Sequence, residues 1–239
     1  MTKVTPYNNS KSKKEQVTTM FDNIAASYDF LNHSLSLGMD NVWRKIAIKK
    51  LTNKPATILD IATGTGDFAV SAAKYTNAQI TGIDISQGML DVGIKKISQK
   101  NLTSRITLQK ADCENLHFDS NSFDAITAGF GVRNFENLEK GLSEMYRVLN
   151  TTGMLAILEP STPKYFPLKQ LYKLYFHHVL PTIGSWISKD KNAYKYLPES
   201  VDAFASGNEF ITTLEKAGFK ECKYIPLSFG IVSLYVAIK

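Results

Sequence analysis

The sequence predicts an α/β fold with a mainly parallel sheet. Short apolar runs alternate with stretches of helical spacing between residues 58 and 159, and a glycine loop follows the first run in ILDIATGTGDFA (58–69). Such alternation is typical of βαβ units. Only three residues, 228–230, join the last two apolar runs. A link this short closes a hairpin but is too short for a crossover, so one of these two strands runs antiparallel.

The predicted elements follow one another in a simple order. Residues 1–12 are polar, and we expect them to form a disordered basic tail. Apolar residues then recur at helical spacing over 13–26 and 40–51, so two helices precede the sheet. The apolar runs that predict strands are 58–61, 79–84, 105–109, 123–130, 154–159, 221–227 and 231–238. Because 239 residues with 44% hydrophobic content can build one sizeable core, we expect a single domain over 13–239.

Residues 160–200 interrupt the strand–helix alternation with five prolines. The segment is also rich in aromatic residues, which are Tyr165, Phe166, Tyr172, Tyr175, Phe176, Trp186, Tyr194 and Tyr196. We expect an inserted helical cover here. Its aromatic side chains either pack a lid helix onto the sheet or line an apolar channel for a hydrophobic substrate, and the two roles are compatible.

Composition narrows the possible partners. The 28 Lys and Arg exceed the 22 Asp and Glu by six, which is typical of a solvated surface rather than of a nucleic-acid arm. The two cysteines lack metal-binding spacing, so we expect neither a disulfide framework nor a metal site. The polar start and the absence of apolar runs near ~18 residues predict a cytoplasmic protein with, at most, peripheral membrane contact.

The glycine loop predicts a nucleotide-like cofactor. Gly64 and Gly66 match G-x-G-x-x-A, and Asp84 ends the next strand, where a carboxylate can accept from ribose hydroxyls. Two more carboxylates, Asp60 and Asp67, flank the loop. They would repel a pyrophosphate and attract an ammonium group, each by roughly 1 to 4 kcal/mol. The charge therefore favours S-adenosylmethionine (SAM), which carries an ammonium and a sulfonium, over a dinucleotide.

A third acidic position follows the third predicted strand. KADCENL (110–116) places Asp112 where it can accept from the amino group of adenine, and Cys113 beside it as a neutral lining residue. The alternative for Asp112 is a helix N-cap.

Five segments form a more specific pattern, namely YDFLNHSLSLGMDNVWR (28–44), DIATGTGD (60–67), GIDIS (82–86), GFGVRN (129–134) and GIVSLYVAIK (230–239). With them the chain resembles the UbiE/MenG C-methyltransferases of ubiquinone and menaquinone biosynthesis over nearly everything after residue 17. The resemblance implies the class I SAM-dependent methyltransferase fold, with a seven-stranded, mostly parallel sheet whose last strand is antiparallel. It also implies SAM as methyl donor and a polyprenylated quinol as acceptor.

The resemblance carries SAM contacts to four positions, which are Thr65, Asp84, Asp112 and Cys113. Many relatives have Ser where this chain has Gly129, so at this position we expect a contribution of the backbone alone. Together with Asp60, Gly64 and Gly66, these residues are the predicted cofactor site.

The acceptor chemistry points to a second set of residues. A ring carbon of the quinol becomes nucleophilic when a neighbouring hydroxyl, with a pKa near ~10, loses its proton. Arg133 follows the fourth strand, where its guanidinium could stabilise the phenolate or orient a water molecule that takes the proton. The alternative for Arg133 is a salt bridge to an acid such as Glu136. Asn134 beside it and Tyr28, which could close over the cofactor, complete the predicted catalytic set.

The resemblance implies methylation of a quinol ring, and we expect demethylmenaquinol as the acceptor, with the ubiquinone precursor 2-polyprenyl-6-methoxy-1,4-benzoquinol or another small molecule as alternatives. A nucleic-acid methyltransferase is disfavoured because GFGVRN stands where exocyclic-amine methylases carry Asn/Asp-Pro-Pro-aromatic. A SAM-binding regulator without enzymatic activity is the remaining alternative. We expect transient contact with the cytoplasmic membrane surface, and a homodimer is one hypothesis for the oligomeric state.

Overall fold

The computed structural model describes residues 4–176 and 190–239. Its helices are α1 (Lys13–Leu35), α2 (Met39–Lys49), α3 (Asp67–Tyr75), α4 (Gln87–Gln99), α5 (Leu138–Val148), α6 (Leu168–Leu174), α7 (Lys191–Ala203) and α8 (Asn208–Lys216). Its strands are β1 (Thr57–Ile61), β2 (Gln79–Asp84), β3 (Ile106–Lys110), β4 (Phe123–Gly129), β5 (Leu149–Pro160), β6 (Lys220–Leu227) and β7 (Val232–Ile238). Short 3₁₀ turns lie at Val132–Asn134 and Ser228–Gly230.

The described strands form one sheet in the order β3-β2-β1-β4-β5-β7-β6. Strands β1 to β5 pair in parallel, and β7 runs antiparallel to both β5 and β6. The predicted seven-stranded sheet with an antiparallel last strand is confirmed. The strand order reverses between β1 and β4, and in such sheets ligands bind beyond the carboxyl ends of the strands at this point.

Helices cover both faces of the sheet. Ile58 of β1 packs with apolar residues of α2, α3 and α4, whereas Leu59 and Ile61 pack with residues of α5 and α8. This alternation follows from the two-residue period of a strand. A third apolar cluster joins α1, the start of α4, Phe176 and α7. This cluster is separate from the two apolar clusters on the faces of the sheet.

Helix α1 extends nine residues beyond the predicted end at Ala26. It starts at a capping box in which Ser12 and Glu15 bond reciprocally, and Leu31, seven residues after Ile24, continues its buried side. The helix ends before Gly38, whose φ of 74° places it in the left-handed region and whose N–H donates to the His33 carbonyl at 2.8 Å. Tyr28 therefore lies on α1, beyond the predicted end of the first helix.

The segment predicted as a helical cover is described at both ends, by α6 and α7. Trp186 and Pro181 of that prediction lie outside the described residues.

Tyr7, in the predicted N-terminal tail, contacts two other parts of the chain. The backbone N–H of Tyr7 donates to Gln16 Oε1 at 2.9 Å, and the Tyr7 hydroxyl donates to Asp190. The disordered tail over 1–12 and the domain bounds stay predictions. Within residues 4–176 and 190–239, no helix is both long enough and apolar enough to cross a membrane.

Candidate active site

A cavity lies beyond the carboxyl ends of β1, β2 and β4, at the point where the strand order reverses; we call it the cofactor cavity. Its wall contains Gly64, Asp84, Asp112, Cys113 and Gly129. The sequence predicts each of these residues for cofactor binding, and the fold brings them together from four separate segments. A Cβ at Gly129 would lie 2.9 Å from Phe68 Cδ1, so the packed ring favours glycine there.

Asp84 is fixed at the wall of the cofactor cavity by two backbone donors. Its Oδ2 accepts from the Gly64 N–H at 2.8 Å, and its Oδ1 accepts from the Ser86 N–H at 2.9 Å. Burial raises the pKa of this carboxyl, and the backbone donors offset part of the rise. Ligand hydroxyl groups placed here would supply further donors to the buried carboxylate.

Thr65 and Gly66 shape the loop rather than the cavity wall. The Thr65 hydroxyl donates to Asp29 Oδ1 of α1 at 2.5 Å, and Gly66 is the N-cap of α3 with φ 80°. A left-handed φ of this size is readily adopted only by glycine. Since neither residue lines the cofactor cavity, their contact with a ligand stays a prediction.

The two acids that flank the loop are occupied by protein donors. Asp60 is buried under the loop and accepts from the hydroxyls of Thr63 at 2.5 Å and Thr127 at 2.7 Å. Burial raises its pKa to about 6. Asp67 accepts from Lys96 Nζ at 2.6 Å. Neither acid lines the cofactor cavity, so the charge that favoured SAM in the sequence does not face it directly, and a cofactor role for Asp60 stays a prediction.

Asp112 lies in a turn after β3 and not at the start of a helix. Its Oδ1 accepts from the Glu114 N–H at 2.9 Å, and its Oδ2 accepts from Lys14 Nζ of α1 at 2.7 Å. Burial raises the pKa of the Cys113 thiol well above its usual range, so this thiol is a neutral lining group as expected. Lys14 brings the start of α1 over this end of the cavity.

A second, mostly apolar cavity lies between α1, α2, α6 and α7; we call it the acceptor cavity. Phe21, Tyr28 and Phe130 line both cavities and mark their junction. Of the aromatic residues predicted to form a cover or a channel, those in its wall are Tyr172, Tyr175, Phe176, Tyr194 and Tyr196. Tyr165 and Phe166 are instead exposed to solvent.

Arg133 reaches the acceptor cavity from the 3₁₀ turn after β4. Its Nη1 lies 3.0 Å from Glu159 Oε2 and also donates to the Phe130 carbonyl, while its Nε donates to Ser200 Oγ at 3.2 Å. The side chain is only 7% exposed. The ion pair foreseen as an alternative for Arg133 therefore exists, but its partner is Glu159 rather than Glu136.

Glu159 is a functional candidate that the sequence analysis missed. It ends the apolar part of β5, is fully buried, and accepts from the Val132 N–H at 2.6 Å as well as from Arg133. Burial raises its pKa, and the charge of Arg133 offsets part of the rise. The available signal was an acid closing an apolar strand, the same signal that identified Asp84.

The other two predicted catalytic residues lie near the junction of the cavities. Asn134 lines the cofactor cavity, and its Oδ1 accepts from the Tyr196 hydroxyl at 3.0 Å. Among the described residues its buried Nδ2 has no hydrogen-bond partner. Tyr28 lines both cavities, packs edge-on against Phe21 at 6.0 Å, and has a pKa raised by burial. Because buried polar groups are nearly always paired, the Asn134 amide indicates a ligand acceptor.

The comparisons with known proteins agree with this geometry. The ubiE/COQ5 methyltransferase family matches residues 9–239. The chain belongs to this family. It is 49% identical to a demethylmenaquinone methyltransferase of Bacteroides fragilis, with 99% of this chain and 98% of the relative covered. It is 46% identical to a ubiquinone/menaquinone biosynthesis C-methyltransferase UbiE of Geotalea daltonii, over 95% and 97% of the two chains.

Solved structures show the same fold. A SAM-dependent methyltransferase of Thermotoga maritima superposes with a TM-score of 0.64 at 21% identity, covering 92% of this chain and 99% of that one. At this identity the likeness establishes the class I methyltransferase fold alone. The predicted fold class is confirmed.

The cofactor of this ubiE/COQ5 family member is SAM, and the cofactor cavity fits it. Asp84 would offer its carboxylate oxygens to ribose hydroxyls, and Asn134 Nδ2 would offer a donor that has no partner among the described residues. Apolar side chains that suit an adenine ring, such as Ile85 and Met89, line the same wall. When bound, SAM supplies an electrophilic methyl group on a sulfonium.

Proposed function

We propose that this chain methylates a ring carbon of demethylmenaquinol, a polyprenylated naphthoquinol, to form menaquinol. The observation that carries the proposal is the apolar, aromatic acceptor cavity that meets the cofactor cavity at Tyr28. A relative 49% identical over nearly the full length bears the name demethylmenaquinone methyltransferase. Both observations support the same acceptor class.

Arg133 is proposed to hold the acceptor in its reactive form. A quinol hydroxyl in the acceptor cavity would be surrounded mostly by apolar side chains. Its phenolate form therefore needs a nearby cation to stabilise the negative charge. The Arg133 guanidinium lies in that wall and is fixed by Glu159, Ser200 and the Phe130 carbonyl. It would stabilise the phenolate while water takes the proton, an effect worth roughly 10²- to 10⁴-fold in rate.

The remaining contribution of the protein is position. Holding two reactants at reacting distance can contribute about 7 to 11 kcal/mol to a bimolecular reaction. Tyr28 lies at the junction of the two cavities and Asn134 beside it, so they are proposed to orient the reacting groups. A tyrosine phenol is neutral at physiological pH, and burial raises the pKa of Tyr28 further.

The acceptor cavity is proposed to take part of the prenyl chain as well as the ring. Its aromatic wall offers apolar contact, and burial of a prenyl chain contributes about 25 cal/mol per Å². Since a polyprenylated quinol resides in a bilayer, the protein is proposed to dock transiently on the anionic cytoplasmic face of the membrane, as a basic protein with a net charge of +6 can. A homodimer stays a hypothesis that sedimentation would test.

The benzoquinol precursor of ubiquinone is a second candidate acceptor. A relative 46% identical carries a name that covers both ubiquinone and menaquinone biosynthesis. Mass spectrometry of quinones from a strain lacking this protein distinguishes the rings. We expect the strain to accumulate demethylmenaquinone and to regain menaquinone with the intact gene but not with an Arg133→Ala copy. An unchanged quinone pool would contradict the proposal.

A further inference from the structure

Large apolar side chains are exposed in three segments next to the acceptor cavity. Leu37 in the α1–α2 turn is 89% exposed, and Phe229 in the last 3₁₀ turn and Phe166 before α6 are each 81% exposed. Single exposed apolar residues are ordinary on protein surfaces, whereas contiguous groups mark sites of interaction. The contacts between the three segments decide which case applies.

Two hydrogen-bonded contacts hold the turn containing Phe229 against the other elements. Trp43 of α2 donates from Nε1 to Ser228 Oγ at 2.8 Å. Ser161, which follows β5, donates from Oγ to the Gly230 carbonyl at 2.8 Å. The turn thus lies between α2 and the segment that leads to Phe166.

A third contact joins α6 to the end of α1. The Tyr175 hydroxyl donates to the Leu35 carbonyl at 3.1 Å, two residues before Leu37. Leu35, Trp43 and Tyr175 all line the acceptor cavity. The segments that carry the exposed side chains therefore border this cavity. We call these side chains the apolar rim, which consists of Leu37, Phe166, Phe229 and the α6 leucines 168, 171 and 174.

The backbone holds Phe229 outward at a conformational cost. Ser228 and Phe229 have φ values of 47° and 59°, in the left-handed region that non-glycine residues seldom adopt. Leu227 before them and Val232 after them are buried. Such backbone strain in a fold is a reason to look for function at the strained position.

The positive charge of the segment that carries Phe166 and α6 favours an anionic partner for the apolar rim. Residues 160–176 contain no Asp or Glu, and their three lysines, Lys164, Lys169 and Lys173, are all exposed. The leucines of α6 recur every three residues and so lie near one another on the helix surface. Exposed apolar side chains flanked by lysines are typical of surfaces that lie in the headgroup region of an anionic bilayer.

We propose that the apolar rim inserts into an anionic lipid bilayer, so that the mouth of the acceptor cavity opens directly onto the membrane. This proposal rests on the lipid acceptor of the proposed function. A second copy of the chain is a less suitable partner, because a symmetric contact at the rim would place its lysines opposite one another. The acceptor then reaches the cavity without crossing water.

Cosedimentation of the full chain with vesicles tests the proposal. One set of vesicles contains phosphatidylcholine with a third phosphatidylglycerol, and the other contains phosphatidylcholine alone. We expect the wild type to bind the anionic set, and Leu37→Ser/Phe166→Ser/Phe229→Ser to bind it about tenfold more weakly, since binding scales with inserted apolar area. Lys164→Gln/Lys169→Gln/Lys173→Gln should lose binding to a similar degree.

Matched controls keep the test specific. Ile94→Ser removes an apolar residue that is 48% exposed on α4, and Lys54→Gln/Lys95→Gln/Lys100→Gln removes three exposed lysines elsewhere. Both controls should bind vesicles like the wild type. Equal binding by rim and control variants would overturn the proposal, as would a wild type that ignores vesicles and loses self-association when the rim is changed.

A separate assay distinguishes this proposal from the proposed function. With a short-chain, water-dispersed quinol and no vesicles, the apolar-rim variants should methylate at the wild-type rate, because their substituted residues lie outside both cavity walls. Loss of vesicle binding with normal methylation supports insertion of the apolar rim into the bilayer. Normal vesicle binding without any methylation would contradict the proposed function but not the insertion of the rim.

Discussion

The guanidinium of Arg133 lies 3.0 Å from the carboxylate of Glu159, and both side chains are withdrawn from solvent beside the acceptor cavity. Glu159 also accepts from the backbone N–H of Val132 at 2.6 Å. One carboxylate thus fixes both the turn that carries Arg133 and the direction of its side chain. The ion pair thus holds a cation in the wall of the acceptor cavity, where we propose that the acceptor hydroxyl binds.

Arg133→Ala should lower turnover by about two orders of magnitude while the affinity for SAM stays within a few-fold. The substitution removes the cation proposed to stabilise the phenolate, and Arg133 does not line the cofactor cavity. Steady-state kinetics and calorimetry with SAM measure the two effects. An equal loss of SAM affinity would make Arg133 a cofactor-binding or structural residue.

Glu159→Gln should lower kcat by about tenfold with little change in KM for SAM. The amide can still accept from Val132, so the turn is retained, but the charge that holds Arg133 is lost. Both variants leave the buried Arg133 cation without its counter-charge, which should lower the free energy of unfolding by about 3 to 5 kcal/mol. Glu159→Ala serves as the comparison and should be the less stable of the two, because it also removes the acceptor of the Val132 N–H. A Gln variant with wild-type kcat would show that the pair has only a structural role.

Asp84→Ala should weaken SAM binding by at least about tenfold, because it removes a buried acceptor at the cavity wall. Calorimetry gives the affinity, and circular dichroism tests whether the fold is kept. Asp91→Ala, at an exposed position on α4, is the matched control and should bind SAM normally. If the two variants bind equally, the assignment of Asp84 is wrong.

Asp60→Asn should change how stability depends on pH. Burial raises the pKa of Asp60 from 3.8 to about 6, so between these values the folded protein holds a proton that the unfolded chain has released. The wild type therefore loses stability relative to the variant as pH rises from about 4 to 6, by up to about 3 kcal/mol. Urea unfolding at several pH values measures this difference in the free energy of unfolding. A difference that stays constant between pH 4 and 6 would contradict the prediction.

The sequence was sufficient for the elements with strong local signals. The short link at 228–230 predicted that one of the last two strands is antiparallel, and strand ends predicted that Asp84 and Asp112 would meet at one cavity. Helix α1 was predicted too short because its buried residues after Ala26 are sparse, with Leu31 the main one. Its extension to Leu35 depends on packing against the cover, which the local pattern does not contain.

The partners of charged residues were the least predictable part of the site. Asp60 and Asp67 flank the glycine loop in the sequence, yet Thr127 and Lys96 reach them from β4 and α4. Arg133 pairs with Glu159, which is 26 residues away, instead of with nearby Glu136. Such pairs form because the fold brings together elements that are far apart in the sequence, so spacing along the chain does not reveal them.

The most direct test is methyl transfer by the purified full chain. Labelled SAM is supplied with reduced demethylmenaquinol or with the reduced benzoquinol precursor, each dispersed in anionic vesicles, and the lipid extract is analysed by mass spectrometry. We expect label on the naphthoquinol ring, and much less with Arg133→Ala. If SAM binds but neither quinol gains a methyl group, the chain is not a quinol methyltransferase, and the central claim fails.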